Sequence, residues 1–205
     1  MLRLDTNQGI AMTHFNHYQP TKLSFGPGNV SQIGHMIAKY GRRCLIVSEP
    51  IFEAVKPAYE RIFALLAEQD IHVTHFDGVV PNPPTTVVEL GRQVGIEADC
   101  DVVLAIGGGS SIDTAKIIAA TMKVDTIDWA HWFKNYDSPF GDIKALPAST
   151  VPLIAIPTTS GTGSQVTHAA VITDLDSHSK LTLFHPDFYP CEALSLIHIS
   201  EPTRR

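Results

Sequence analysis

The sequence predicts an α/β domain built on a parallel sheet. Short apolar, β-branched runs alternate with helical stretches of about a dozen residues, the signature of βαβ units. Two of those runs open directly into loops of glycine and hydroxyl residues. The 205 residues, 44% apolar and 18% charged, are enough for one large domain with a real core.

Along the chain, Arg43-Cys-Leu-Ile-Val-Ser48 is an apolar run between Gly41 and Pro50 and reads as a buried strand. Residues 57–70 carry apolar side chains at 62, 63, 65 and 66 with charges between them. They form a helix with Pro57 in its first turn, where a missing N–H is harmless. Ile71 to Phe76 is the next strand, closed by Asp77-Gly78, and Pro81-Asn82-Pro83-Pro84 forces a turn. Residues 85–98 return to helical spacing, with Val88, Leu90 and Val94 on the inner face. Asp101 to Ile106 is the clearest buried strand, running into Gly107-Gly108-Gly109 before a helix over 110–123. Residues 124–152 hold Trp129, Trp132, Phe133, Tyr136 and Phe140 among Asp, Pro and Gly, an irregular connection pinned by aromatic rings. One helical turn is expected there, at 127–134. Leu153 to Ile156 is a strand, Pro157 to Ser164 a loop, and 166–173 with 180–184 the arms of a hairpin.

Composition excludes several classes. A net charge of −6 argues against a nucleic-acid or anionic-membrane surface. Cys44, Cys100 and Cys191 are isolated, without a C-x-x-C pair, so neither a disulfide framework nor a zinc ribbon can be built from them. The segment MLRLDTNQGIAM lacks the apolar core of a signal peptide, and Met12 is an alternative start. Apolar runs of about six residues fall far short of the ~20 that a spanning helix needs. The expected compartment is the cytoplasm.

The chemistry is carried by small residues at strand ends. Gly107-Gly-Gly-Ser-Ser111 sits where a strand gives way to a helix, so bare backbone and free N–H groups make a phosphate cradle. The third glycine of G-x-G-x-x-G falls on Ile112, and the Gly-Lys-Ser/Thr of a P-loop is missing. Ser110 and Asp113 fit a capping box, and Lys116 is expected to be a solvated side chain. The loop Thr158 to Ser164 also follows a strand and suits phosphate or ribose. It lacks G-x-S-x-G and so is no nucleophile elbow. Two such loops converge on the sheet edge where ligands bind. Glu49, at its strand end, can accept from two ribose hydroxyls and would repel a 2′-phosphate. It precedes the glycine loop rather than following it, so the order is not the common one. Among ten histidines, His72 and His75 lie three apart on a strand and face opposite sides. Neither H-x-x-x-H on a helix nor a two-His-carboxylate set occurs, so no metal ligand and no catalytic residue is assigned.

The runs PTKLSFGPGNVSQIG (20–34), VVPNPPTTVVELG (79–91), AIGGGSSIDTAK (105–116) and PTTSGTGSQVTHAAVITD (157–174), with Lys180, together resemble the iron-containing, group III alcohol dehydrogenases. The resemblance spans nearly all of Pro20 to Ala193. It implies a Rossmann-like nucleotide-binding domain over residues 12–193, followed in the family by an all-helical domain. That second domain, missing here, carries an Asp and three His that hold a divalent metal, usually iron. The implied reaction is hydride transfer between a short-chain alcohol or diol and nicotinamide, NAD in preference to NADP. The implied partners are an alcohol or aldehyde and other copies of the chain, without nucleic acid or membrane.

Residue by residue, the resemblance places Glu49 on the adenosine ribose and Asn82 beside the cofactor. Gly108, Gly109 and Ser110 hold the pyrophosphate, with Asp113 among the cofactor positions. Thr158, Thr159, Thr162 and Thr167 line the adenine and ribose side, and Lys180 reaches the nicotinamide ribose. A position often Asn in the family is Ala169 here. The G-T-G-S-Q-V-T run suits the propanediol, lactaldehyde and ethanol dehydrogenases rather than the butanol-dehydrogenase branch. A sugar-phosphate cyclase of the dehydroquinate synthase type shares this domain order and is the competing reading. A nucleotide-binding fragment without catalysis is another. Finally, LSLIHISEPTRR (194–205) has no periodicity or cap and looks like translated sequencing adapter. A non-native tail is therefore expected from Leu194, with the natural protein continuing past Ala193.

Overall fold

The computed structural model describes residues 18–140 and 142–194. In chain order the elements are β1 (Lys22–Ser24), α1 (Ile33–Ala38), β2 (Arg43–Ser48), α2 (Lys56–Ala67), β3 (His72–Phe76) and α3 (Thr85–Glu97). They continue with β4 (Val102–Gly107), α4 (Gly109–Thr121), α5 (Trp129–Asn135), β5 (Leu153–Pro157), β6 (Ala169–Asp174), β7 (Ser179–Phe184) and β8 (Glu192–Leu194). Six strands form one sheet in the order β1-β8-β5-β4-β2-β3, and every neighbouring pair is parallel.

The central strands are apolar on both faces because both faces are covered. Leu45 and Val47 of β2 join Val103 and Ala105 in a core shared with Val88, Ile112, Ile117 and Ile118 of α3 and α4. The alternate residues Cys44 and Ile46 join Val102 and Leu104 against Ile33, Ile37, Ile62 and Leu66 of α1 and α2. The sheet is thus doubly wound, a Rossmann-like α/β layer. From β2 the chain moves outward through α2 to the edge strand β3, then returns across to β4 on the other side of β2. Connections leave β2 and β4 in opposite directions, which opens a crevice at their carboxyl ends.

The hairpin β6–β7 stands apart as a two-stranded antiparallel ribbon, as its sequence predicts. Its turn is closed by Asp174, whose carboxylate accepts from the backbone N–H groups of Asp176 and Ser177. Within 124–152 the helix is a capped element: the Asp128 carboxylate accepts from His131 N at 3.0 Å. Trp132 and Tyr136 are buried there. Three features differ from expectation. Leu90, expected on the inner face of the 85–98 helix, is exposed on α3, whose buried face carries Val88, Gly91 and Gly95. The short helix α1 has no counterpart in the sequence reading. Leu194, assigned to the tail, is fully buried at the end of β8 and pairs with Ser24. The rest of the expected tail, and Met12 with the N-terminal segment, lie outside the described residues.

Candidate functional site

The crevice is built by three strand ends. Gly107 ends β4 with φ +146°, and a Cβ added there would sit 2.4 Å from Ser111 Oγ. Only glycine makes this strand-to-helix turn. Gly108 is the extended N-cap of α4 and Gly109 its first helical residue, with no side chain capping the helix. The first-turn N–H groups of this 13-residue helix are therefore open to an anion. A Cβ on Gly108 would lie 3.1 Å from Thr159 Oγ1, and one on Gly109 3.2 Å from Thr162 Cγ2. The two small-residue loops meet across the cradle, and Thr158 N donates to Gly107 O at 2.9 Å.

Beside the cradle lies a cavity of about 370 Å³, lined by Glu49, Phe52, Tyr59 and Ile62 on one side and Ile106, Gly107, Thr158 and Thr159 on the other. Its walls are largely apolar and its rim carries one carboxylate, the lining expected for a flat base with a sugar at the mouth. Asn82 sits in the left-handed region at φ 54°, a conformation that Asn tolerates better than most residues. Its carbonyl accepts from Thr173 Oγ1 at 3.0 Å. Lys180 is paired directly with Thr173 across the hairpin and is exposed, so Asn82, Thr173 and Lys180 share one corner.

The sequence model of the iron-containing alcohol dehydrogenases matches residues 20–195. The chain belongs to this family. The NADH-dependent butanol dehydrogenase A of Clostridium acetobutylicum is 38% identical over 179 residues, 87% of this chain and 44% of that protein. The 1,3-propanediol dehydrogenase of Klebsiella pneumoniae is 32% identical over 82% of this chain and 42% of its own length. The crystal structure of ADH/D1, an archaeal halo-thermophilic Red Sea brine pool alcohol dehydrogenase bound to NZQ, superposes with a TM-score of 0.79 at 31% identity. It covers 91% of this chain and 47% of that one. The chain thus spans somewhat under half the length of these relatives. The expected distance from the butanol dehydrogenases is not upheld, since identity to that enzyme exceeds identity to the propanediol dehydrogenase. A run of small loop residues is shaped by backbone approach and does not mark the branch.

Two residues of this iron-containing alcohol dehydrogenase chain differ from their sequence reading. The capping box does not form, because Gly108 is the N-cap and Asp113 turns inward. Asp113 Oδ1 accepts from Ser164 Oγ at 2.5 Å and Oδ2 from Val171 N at 3.0 Å. Asp113 therefore supports the cradle from behind instead of lining the cavity. Lys116 is not solvated: its side chain is fully buried beside Asp113. Its Nζ donates to Ser164 Oγ at 3.0 Å, Thr167 Oγ1 at 3.3 Å and Ala169 O at 2.5 Å. Burial pulls the ammonium pKa down to about 8, against the opposing pull of Asp113. A carboxylate and an ammonium i,i+3 apart on a helix otherwise made of Gly, Ile, Ala, Ser and Thr signal this in the sequence, since such a helix is buried all round. Phe52 and Tyr59, the cavity wall, carry no such signal. Among the described residues no group of three or more His, Cys, Asp or Glu is gathered. The donor set for the family's metal is not found among them.

Proposed function

We propose that the chain is the nucleotide-binding half of a metal-assisted alcohol dehydrogenase that prefers NAD to NADP. One observation carries the reading: an acidic rim at Glu49 and an uncapped glycine helix start meet at the β2/β4 switch point. Adenine enters the cavity against Phe52 and Tyr59, and its ribose hydroxyls donate to Glu49. The pyrophosphate lies on the N–H groups of Gly108, Gly109 and Ser110, faced by Thr158, Thr159 and Thr162. Thr167 stays on the adenine and ribose side, and the nicotinamide end runs toward Lys180 and Asn82. When bound, the nicotinamide supplies the hydride acceptor or donor. The chain's own part is to fix that ring in place, so that hydride transfer to or from a short-chain alcohol, diol or aldehyde is effectively unimolecular.

The family match favours this reading over a sugar-phosphate cyclase. In it, residues 12–193, extended by Leu194, form the nucleotide domain, residues 195–205 are non-native, and the metal ligands lie on a following helical domain. The metal is iron in the family. The working protein is a cytoplasmic homo-oligomer without nucleic-acid or membrane partners. No helix among the described residues is long and apolar enough to cross a membrane.

Titration of the full-length protein with NAD⁺ and NADP⁺ tests the reading. A second negative charge within a few ångströms of Glu49 costs about 1.4 kcal/mol or more, roughly tenfold in Kd. NADP⁺ is therefore expected to bind at least about tenfold more weakly, and Glu49→Ala to remove the difference. Equal dissociation constants in the wild type overturn the assignment.

A further inference from the structure

His75 has no place in the reading so far, yet it lies directly behind the crevice. It is half-buried on β3, its ring centroid 5.9 Å from that of Tyr59 and 5.8 Å from that of Phe63, edge-on to the latter. Its Nε2 is 2.8 Å from Ser48 Oγ, and the Ser48 hydroxyl donates to the carbonyl of Glu49 at 2.7 Å. A hydroxyl has one hydrogen, and Ser48 has given it to Glu49. Ser48 therefore accepts from Nε2–H of His75, which leaves Nδ1 as the bare nitrogen of the neutral ring. Burial holds His75 below the ordinary histidine pKa and keeps it in that neutral form.

The relay ends on the peptide that carries the acidic rim. Pro50 confines Glu49 to extended backbone, Val79 N donates to Ser48 O at 3.2 Å, and Ser48 Oγ holds the Glu49 carbonyl. His72, three positions earlier, is exposed and makes no such contact.

We infer that His75 is a specificity-setting positioning residue: through Ser48 it fixes the Glu49 peptide, and through its ring it backs Tyr59. The carboxylate then meets the ribose in one geometry and a 2′-phosphate in conflict. This rests on the assignment of Glu49 to the ribose.

The experiment measures Kd for NAD⁺ and NADP⁺ in the full-length protein and in His75→Leu, His75→Gln, Ser48→Ala, Glu49→Ala and the Glu49→Ala/His75→Leu pair. His75→Leu removes the bond from His75 to Ser48, and Ser48→Ala removes both bonds of the relay. Each is expected to weaken NAD⁺ by about fivefold and to narrow the NAD⁺/NADP⁺ ratio. His75→Gln, whose amide nitrogen reaches the Nε2 position, retains both values. On the Glu49→Ala background the leucine substitution no longer changes the ratio.

The inference is overturned by equal weakening of both cofactors, by loss in His75→Gln equal to that in His75→Leu, or by a ratio change that persists without Glu49. A Glu49→Ala protein with an unchanged ratio overturns the ribose assignment, and the inference with it. An intact Glu49 effect beside a silent His75 and Ser48 overturns the inference alone.

Discussion

Gly107 and Gly109 lie two positions apart and answer to different demands. The positive φ that a glycine turn suggests falls on Gly107, and Gly109 is already helical. Which glycine bears the turn depends on how the strand enters the helix, and the sequence GGG does not say. Gly107→Ala should therefore cost about 1–3 kcal/mol in denaturant unfolding. Gly109→Val should leave the fold nearly intact and abolish NAD⁺ binding, because its side chain would fill the cradle beside Thr162. If both variants lose only stability, the cradle is a structural turn.

Lys116 makes the opposite lesson: a charge read as surface lies inside, bonded to three residues of the stretch 164–169. Removing one partner of a buried pair leaves the other uncompensated, so Lys116→Met should cost about 3–5 kcal/mol in urea titration. A loss below about 1 kcal/mol, the worth of an exposed pair, would show that the network is not holding the loops.

Cys44 adds a pH dependence. Burial raises its thiol pKa far above the ordinary value of 9.0. Below pH 9 the folded and unfolded chains both keep the proton, and stability is whole. Above it the unfolded chain sheds a proton that the folded chain retains. Stability then falls by up to about 1.4 kcal/mol per pH unit from this group. Cys44→Ala should show a shallower decline between pH 9 and 10.5, read by chemical denaturation at each pH. An unchanged slope would contradict the burial.

At the scale of elements, legibility followed burial. β2, β4 and β5 are covered on both faces, so they had to be continuous apolar runs and could be read directly. The edge strand β1 and its neighbour β8 are three residues each, too short to carry a period of two. They exist because β8 inserts between β1 and β5. Its Glu192 lies among Lys22, Lys39 and Tyr40, a long-range cluster that no local window reveals. Ending the chain at Pro190 should strip β1 of its partner and leave β5 an open edge. The expected result is a broadened thermal transition by circular dichroism, several degrees lower. A sharp transition at the original temperature would mean that β8 is dispensable.

For the whole molecule, the site follows from topology: one reversal of strand order opens one crevice, and both small-residue loops end there. The loops and Glu49 were legible because their chemistry depends on local backbone and on strand ends. The aromatic wall and the His75 relay were not, because each depends on which helix lies beside which strand. The division of labour proposed above puts the metal ligands on a following helical domain, so the 205-residue chain alone should form no NADH from short alcohols, whatever divalent ion is supplied. Metal-dependent turnover by this chain would contradict the division of labour proposed for it.

The most direct measurement is a crystal structure of the full-length protein with NAD⁺. The account predicts adenine against Tyr59 and Phe52, both ribose hydroxyls on the Glu49 carboxylate, and the pyrophosphate on the N–H groups of Gly108 and Gly109. A nucleotide bound away from the β2/β4 crevice, or one whose ribose leaves Glu49 untouched, would contradict it.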